Sequence, residues 1–142
     1  INVSRFGPKI AGCGGFINIT QSTPVVVFCG TFTAKGLKEE FGNGTLTIVN
    51  EGQVKKFKND VEQITFSAEY AKKSGQKVMY ITERAVFELR DGVFTLTEIA
   101  PGIDLQKDVL DQMDFVPAVA DDLKIMDERI FMDKPMGLSS KS

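Results

Sequence analysis

Hydrophobic positions along this chain fall in short blocks separated by glycine-rich or charged breaks. Residues 15–20 are apolar with a weak alternation, which predicts a strand. Residues 25–32 form an unbroken β-branched and aromatic run, the pattern of a buried strand. The charged stretch 35–40 reads as a helical turn, and Gly42-Asn43-Gly44 as a flexible polar break. Residues 45–49 and 54–57 then flank Asn50-Glu51-Gly52-Gln53, whose composition is that of a hairpin connection.

Further on, residues 61–66 predict another short strand. Residues 67–74 favour a helix with lysines at its end and Gly75 as terminator. Strands follow at 78–82 and 85–89, and Arg90-Asp91-Gly92 is a tight turn into a strand at 93–99, the clearest hairpin signal in the sequence. Pro101-Gly102 breaks the pattern. Asp104 is a good N-cap for an amphipathic helix to about Met113, with Leu105, Val109, Leu110 and Met113 on one face. Residues 115–142 contain Pro117 and Pro135 and end in Ser139-Ser140-Lys141-Ser142, which predicts an extended C-terminal arm with a frayed end.

Composition narrows the chemistry. A hydrophobic content of 42% over 142 residues supports one moderate core, hence one structural unit at most. The 17 basic and 19 acidic residues give a net charge of −2 without a sustained basic block, so nucleic-acid binding has no electrostatic support. Apolar runs such as Val25-Val26-Val27-Phe28 are far shorter than the roughly 20 residues that span a bilayer, so no membrane partner is expected. The chain opens on Ile1 and reads as a fragment or a processed chain. Cys13 and Cys29 form no CxxC pair and are read as two reduced thiols of a cytoplasmic protein. There is no histidine, which removes Ser-His-Asp and Cys-His pairs, most zinc sites and the commonest general base. Chemistry here must use carboxylates, lysines, hydroxyls or backbone amides.

The most informative segment is Ala11-Gly12-Cys13-Gly14-Gly15-Phe16. Three glycines in four positions let the backbone approach a ligand without Cβ obstruction and adopt positive φ. The N–H groups of such a loop can converge on an oxyanion or a phosphate. A tight structural turn has the same pattern, and the segment lacks both the P-loop ending and the GxGxxG spacing. Among the charged residues, Glu83-Arg84 reads as a structural ion pair or turn. Arg5 is either an attractor of phosphates or an exposed cation. Asp121-Asp122 and Asp127-Glu128 read as helix-surface charges, too few for a metal site.

Read in order, GCGGFINIT, VVVFCGTFTAKG, YITERAVFEL and LTEIAPGIDLQKDVLDQMDF resemble the C-terminal half of family I CoA-transferases, most closely the single-chain acetate or propionate CoA-transferase type. The resemblance runs from INVSRFGP to Pro135-Met136-Gly137-Leu138. It implies an α/β fold of the NagB/RpiA/CoA-transferase-like kind, a β-rich mixed sheet with a few covering helices. Residues 1–142 would be the C-terminal portion of the second, β-subunit-like domain. It also implies exchange of CoA between short-chain carboxylates through a glutamyl-CoA thioester, chemistry that needs no histidine. Acyl-CoA enters as substrate, with no permanently bound cofactor and no metal. In the family the glutamate lies in a Ser-Glu-Asn-Gly type motif before the GxGGF loop. No such motif occurs here, which places the nucleophile upstream of Ile1. Asn50-Glu51-Gly52 is only superficially similar, and Glu51 is read as a solvated turn glutamate with no catalytic role.

The resemblance assigns Gly12, Gly14, Gly15 and Phe16 to the oxyanion hole and the CoA thioester contact. Lys35 matches an Ala-Lys-Gly element and is either a contact for a CoA phosphate or carboxylate, or a solvated loop lysine. The upstream portion of the same enzyme and further copies of it are the implied macromolecular partners. A CoA-binding module without turnover and an acyl-CoA hydrolase are the alternatives.

Overall fold

A computed structural model describes residues 1–138. The elements in chain order are β1 (Arg5–Phe6), β2 (Lys9–Ile10), α1 (Gly14–Ser22), β3 (Val25–Cys29), β4 (Thr33–Ala34), β5 (Lys38–Gly42), β6 (Thr45–Asn50) and β7 (Val54–Lys55). They continue with α2 (Ala68–Ser74), β8 (Lys77–Ile81), β9 (Ala85–Arg90), β10 (Val93–Ile99) and β11 (Ala118–Ile125). Short helical turns at Leu105–Val109, Leu110–Gln112 and Glu128–Phe131 complete the set. The main sheet has the order β11-β10-β9-β8-β3. Its outer pairs, β3 with β8 and β10 with β11, are parallel, and its inner pairs are antiparallel. This is the α/β architecture with a mixed sheet that the sequence predicts.

Two apolar clusters hold it. The larger centres on Phe87, Leu96 and Val109, all fully buried, with Phe32, Phe57 and Phe94 ringed about Phe87. The smaller joins Val26 and Val78 of the parallel strand pair to Ala71 of α2, with Phe16 and Phe28 packed alongside.

Local signals succeed where capping decides. Ser67 accepts the Tyr70 amide and Gly75 closes α2 in the left-handed region, as its sequence predicts. The β9–β10 hairpin forms through Asp91-Gly92, both at positive φ.

Elsewhere the structure departs from expectation. Residues 15–20 belong to helix α1 and not to a strand. Their β-branched residues have poor helix propensity, but the Phe16 ring meets Phe28 at 5.9 Å and Thr20 is buried, so packing overrides propensity. Residues 35–40 form no helical turn. Lys35 and Gly36, both at positive φ, reverse the chain into β5, which pairs with β6 across Asn43-Gly44. Two consecutive positive-φ residues make the primed turn that matches strand twist. The hairpin expected across residues 50–53 therefore does not form: β6 is already paired, and β7 pairs with β4. Gly52 permits this approach, because a Cβ there would lie 2.4 Å from Thr33 Oγ1. Residues 61–66 form no strand; Thr65 and Phe66 instead hold the Ile1 backbone through hydrogen bonds.

Asp104 is an N-cap, accepting the Lys107 amide, but the helix it opens is a π-helical turn followed by a 3₁₀ turn. Val109 and Met113 still bury the expected face. The arm predicted from residue 115 is in fact β11, paired with β10 in the sheet, and then a 3₁₀ turn that buries Phe131. Asp121 and Asp122 accordingly sit on a strand and not on a helix. The frayed end expected at residues 139–142 lies outside the described residues.

Candidate functional site

The glycine segment occupies the start of α1. Cys13 takes the N-cap position without a side-chain cap, and the Ile17 amide makes the first bond back, to the Cys13 carbonyl. The amides of Gly14, Gly15 and Phe16 therefore precede the helical ladder and point out along the axis. None of Gly12, Gly14 and Gly15 has positive φ, contrary to the expectation that the loop needs it. A Cβ at any of the three would meet nothing within 4 Å.

The placement of α1 follows from its two ends. Gln76 Nε2 donates to the carbonyls of Thr20 and Thr23, both at 2.6 Å, which ties the helix C-terminus to the start of β8. Phe16 packs on Phe28, which ties the first turn to the end of β3. The glycine amides thus lie at the carboxyl end of the parallel pair β3 and β8, the end at which α/β sheets bind ligands.

Three connections meet at that same end. Arg84, between β8 and β9, is fully buried. Its Nε donates to Glu83 Oε1 at 2.6 Å, its Nη1 to Glu51 Oε2 and to the Asp108 carbonyl at 3.0 Å, and its Nη2 to Glu51 Oε1 at 3.2 Å. The guanidinium carbon also stands 5.0 Å from the Phe32 ring centroid, a cation–π contact. Glu83 Oε2 accepts the Phe32 amide at 2.8 Å. Glu51 Oε1 accepts the Thr33 hydroxyl and, at 3.0 Å, the Gly52 amide. Each of the three nitrogens of the buried cation has an acceptor, the condition under which such a charge is tolerated.

Glu83-Arg84 is thus a structural ion pair, as its sequence suggests. Glu51 is not the solvated turn residue expected. Its partner Arg84 lies 33 positions away in the chain, and no local pattern marks the pair. Lys56 is a second group that sequence reasoning missed: its Nζ donates to the Thr31 carbonyl at 2.7 Å. Lys35 sits in the turn after β4, where its carbonyl accepts the Gln53 amide, so its backbone is tied to the β6–β7 connection and not to α1. Cys13 and Cys29 are both free thiols.

Burial pushes the Glu51 carboxyl up, but the bonds from Arg84, Thr33 and the Gly52 amide outweigh it and hold the group below its ordinary value of 4.5. Since the folded value is the lower, ionised Glu51 stabilises the fold above about pH 4.5, and that contribution is lost as pH falls through the folded value. The melting temperature of Glu51→Gln is therefore expected to lie below wild type at pH 7, and the gap to close under acid. A gap that stays constant down to pH 3 would contradict this linkage.

On the opposite face of the sheet from α2, Val25 and Val27 are about half exposed. Beside them a groove of roughly 950 Å³ runs between the sheet and the β5–β6 hairpin, lined by Met79, Ile81, Val86 and Phe131, with Glu39, Glu83 and Glu98 among its polar positions. Burial, and then the nearby Glu83, push the Glu39 carboxyl up. No helix among the described residues is long and apolar enough to cross a membrane.

No protein-family model matches the chain. It is similar to the caffeate CoA-transferase of Acetobacterium woodii, 54% identical over 145 aligned positions that take in 99% of this chain and 28% of that protein. It is also similar to the acetate CoA-transferase YdiF of Escherichia coli O157:H7, 53% identical over 96% of this chain and 26% of that protein. A solved structure of YdiF from the same strain, an acyl-CoA transferase in a thioester complex with CoA, superposes with a TM-score of 0.94 at 52% identity, covering 98% of this chain and 27% of that one. The chain spans about a quarter of the length of the relatives it matches.

Proposed function

Because the chain is homologous along nearly its whole length to a segment of CoA-transferases, we propose that it is the C-terminal portion of the second domain of an acyl-CoA:carboxylate CoA-transferase of the acetate or propionate type. The single observation that carries this reading is the superposition on an acyl-CoA transferase in thioester complex with CoA. The reaction is an exchange in balanced steps. A glutamate carboxylate, supplied by the upstream part of the polypeptide, attacks the acyl-CoA carbonyl and expels the CoA thiolate, leaving a mixed anhydride. The thiolate then attacks the glutamyl carbonyl and releases the first carboxylate, giving glutamyl-CoA. A second carboxylate reverses the sequence and leaves as its CoA ester.

Each attack passes through a tetrahedral oxyanion, and the role of this chain is to stabilise it. The amides of Gly14, Gly15 and Phe16 are the donors, with Gly12 leaving room for the thioester. Lys35 is the outer contact for a CoA phosphate or carboxylate. The half-exposed valines of β3 and the apolar groove pack against the upstream portion of the enzyme, which works as a homo-oligomer in the cytoplasm.

The experiment is to give the polypeptide that includes the upstream portion acetyl-CoA and labelled propionate. Labelled propionyl-CoA, with enzyme mass raised by a trapped glutamyl-CoA, is expected, whereas residues 1–142 alone should give no exchange. Free CoA released without any acceptor would instead make the protein a hydrolase. Binding without either product would leave only a CoA-binding module.

A further inference from the structure

We infer that Glu51 and Arg84 are positioning residues for turnover: through Glu83 and Thr33 they fix the backbone of segment 30–33, the continuation of β3 beyond Phe28, whose ring packs on Phe16 in the first turn of α1. The inference rests on the CoA-transferase reading and deepens it.

Four consecutive residues of that segment are each held by a separate bond. The Gly30 amide donates to the Ile81 carbonyl at 3.1 Å. The Thr31 carbonyl accepts Lys56 Nζ at 2.7 Å. The Phe32 amide donates to Glu83 at 2.8 Å, and the Thr33 hydroxyl donates to Glu51. The last two anchors are carboxylates whose own orientation is set by Arg84, since its Nε engages the first and its Nη1 and Nη2 grip both oxygens of the second. Stacked on Phe32, the guanidinium also fixes that side chain from above. One buried cation thereby dictates where the chain runs as it leaves β3.

A stabilising role alone accounts poorly for the arrangement. Desolvating a guanidinium and its carboxylates costs about as much as their attraction returns, and an apolar cluster of the same volume often stabilises a fold as well. What a buried cation with an acceptor at each nitrogen supplies, and an apolar cluster does not, is directional constraint on the backbone it holds. Here that constraint falls on the chain leaving β3, which is coupled to the first turn of α1 through Phe16 packing on Phe28, two residues before Gly30. Displacing a supporting segment by about 1 Å can slow a reaction by up to about a hundredfold without touching its chemistry.

The test uses the polypeptide that includes the upstream portion. Glu51→Gln keeps the shape of the side chain but turns an amide towards Arg84, so the grip on Thr33 and on the guanidinium loosens. The expected result is a fall of about tenfold in kcat with KM for acetyl-CoA changed less than about twofold, the split of a group that acts in the transition state. Faster hydrogen exchange at the Phe32 and Thr33 amides should accompany it. A variant with kcat within about twofold of wild type overturns the inference, whatever its melting temperature, and so does a rise in KM with kcat intact. If Glu51→Gln does not fold, Thr33→Val removes one anchor at almost constant volume and is judged by the same criteria. Should the wild-type polypeptide fail to transfer CoA at all, the transferase reading falls. In that case unchanged exchange at Phe32 and Thr33 in the variant overturns the positioning role independently.

Discussion

Arg84→Ala is expected to destabilise the protein by about 3 kcal/mol, the lower end of the range for removing one partner of a buried ion pair. The native side chain is fully buried and its guanidinium donates to two carboxylates and a backbone carbonyl. Alanine leaves those acceptors facing a cavity over the Phe32 ring, so the cost combines unpaired charge with lost packing. The lower end applies because the Glu51 side chain retains 26% exposure and can recover some hydration, whereas Glu83, at 14%, recovers less. Adding Glu51→Gln to Arg84→Ala should restore part of the loss, since a neutral amide is cheaper to leave unpaired than a carboxylate. Denaturant unfolding of the four proteins of this cycle measures both effects. A single variant within 1 kcal/mol of wild type would show that water reaches the site and that the network is not a buried one.

The reach of each signal along the chain separates what the sequence reveals from what it hides. Ser67 and Gly75 cap α2 within a single short helix, and Asp91-Gly92 closes the β9–β10 hairpin on itself, so both elements are legible in a few residues. Asp104 works the same way, although the helix it starts is wound as a π-turn. By contrast α1 depends on Phe16 finding Phe28, and its isoleucines and threonine locally favour a strand. β11 mixes small, aliphatic and charged residues, including the adjacent pair Asp121-Asp122, without a clean alternation, and only its parallel pairing with β10 makes it part of the sheet. The site divides likewise. The glycine segment stands out by composition, while Glu51 looks like any turn carboxylate until Arg84 is brought to it from 33 residues away. Side-chain networks joining separate connections leave no periodic trace.

Gly14→Val should lower kcat of the polypeptide that includes the upstream portion by about a hundredfold or more while leaving its melting temperature almost unchanged. Among the described residues nothing requires glycine at that position. Its φ is not positive, a Cβ would touch no atom within 4 Å, and it opens a helix, where glycine is among the worst residues. Valine has the better helix propensity by a few tenths of a kcal/mol, so the fold should be neutral to the change or slightly stabilised. What Gly14 offers is a bare backbone open to something outside these residues that approaches it closely. In the proposed reaction that object is the thioester oxygen, which must sit about 3 Å from the amides of the first turn, and a branched side chain stands in its path. Losing one such donor raises the barrier by about 3 kcal/mol, which corresponds to a loss of more than a hundredfold in rate. Gly14→Ala, with one methyl group, should fall between the two. If the valine variant keeps wild-type kcat with an intact fold, these amides do not meet the reacting oxygen. If it loses stability in parallel with activity, the glycine serves a packing contact with the rest of the enzyme.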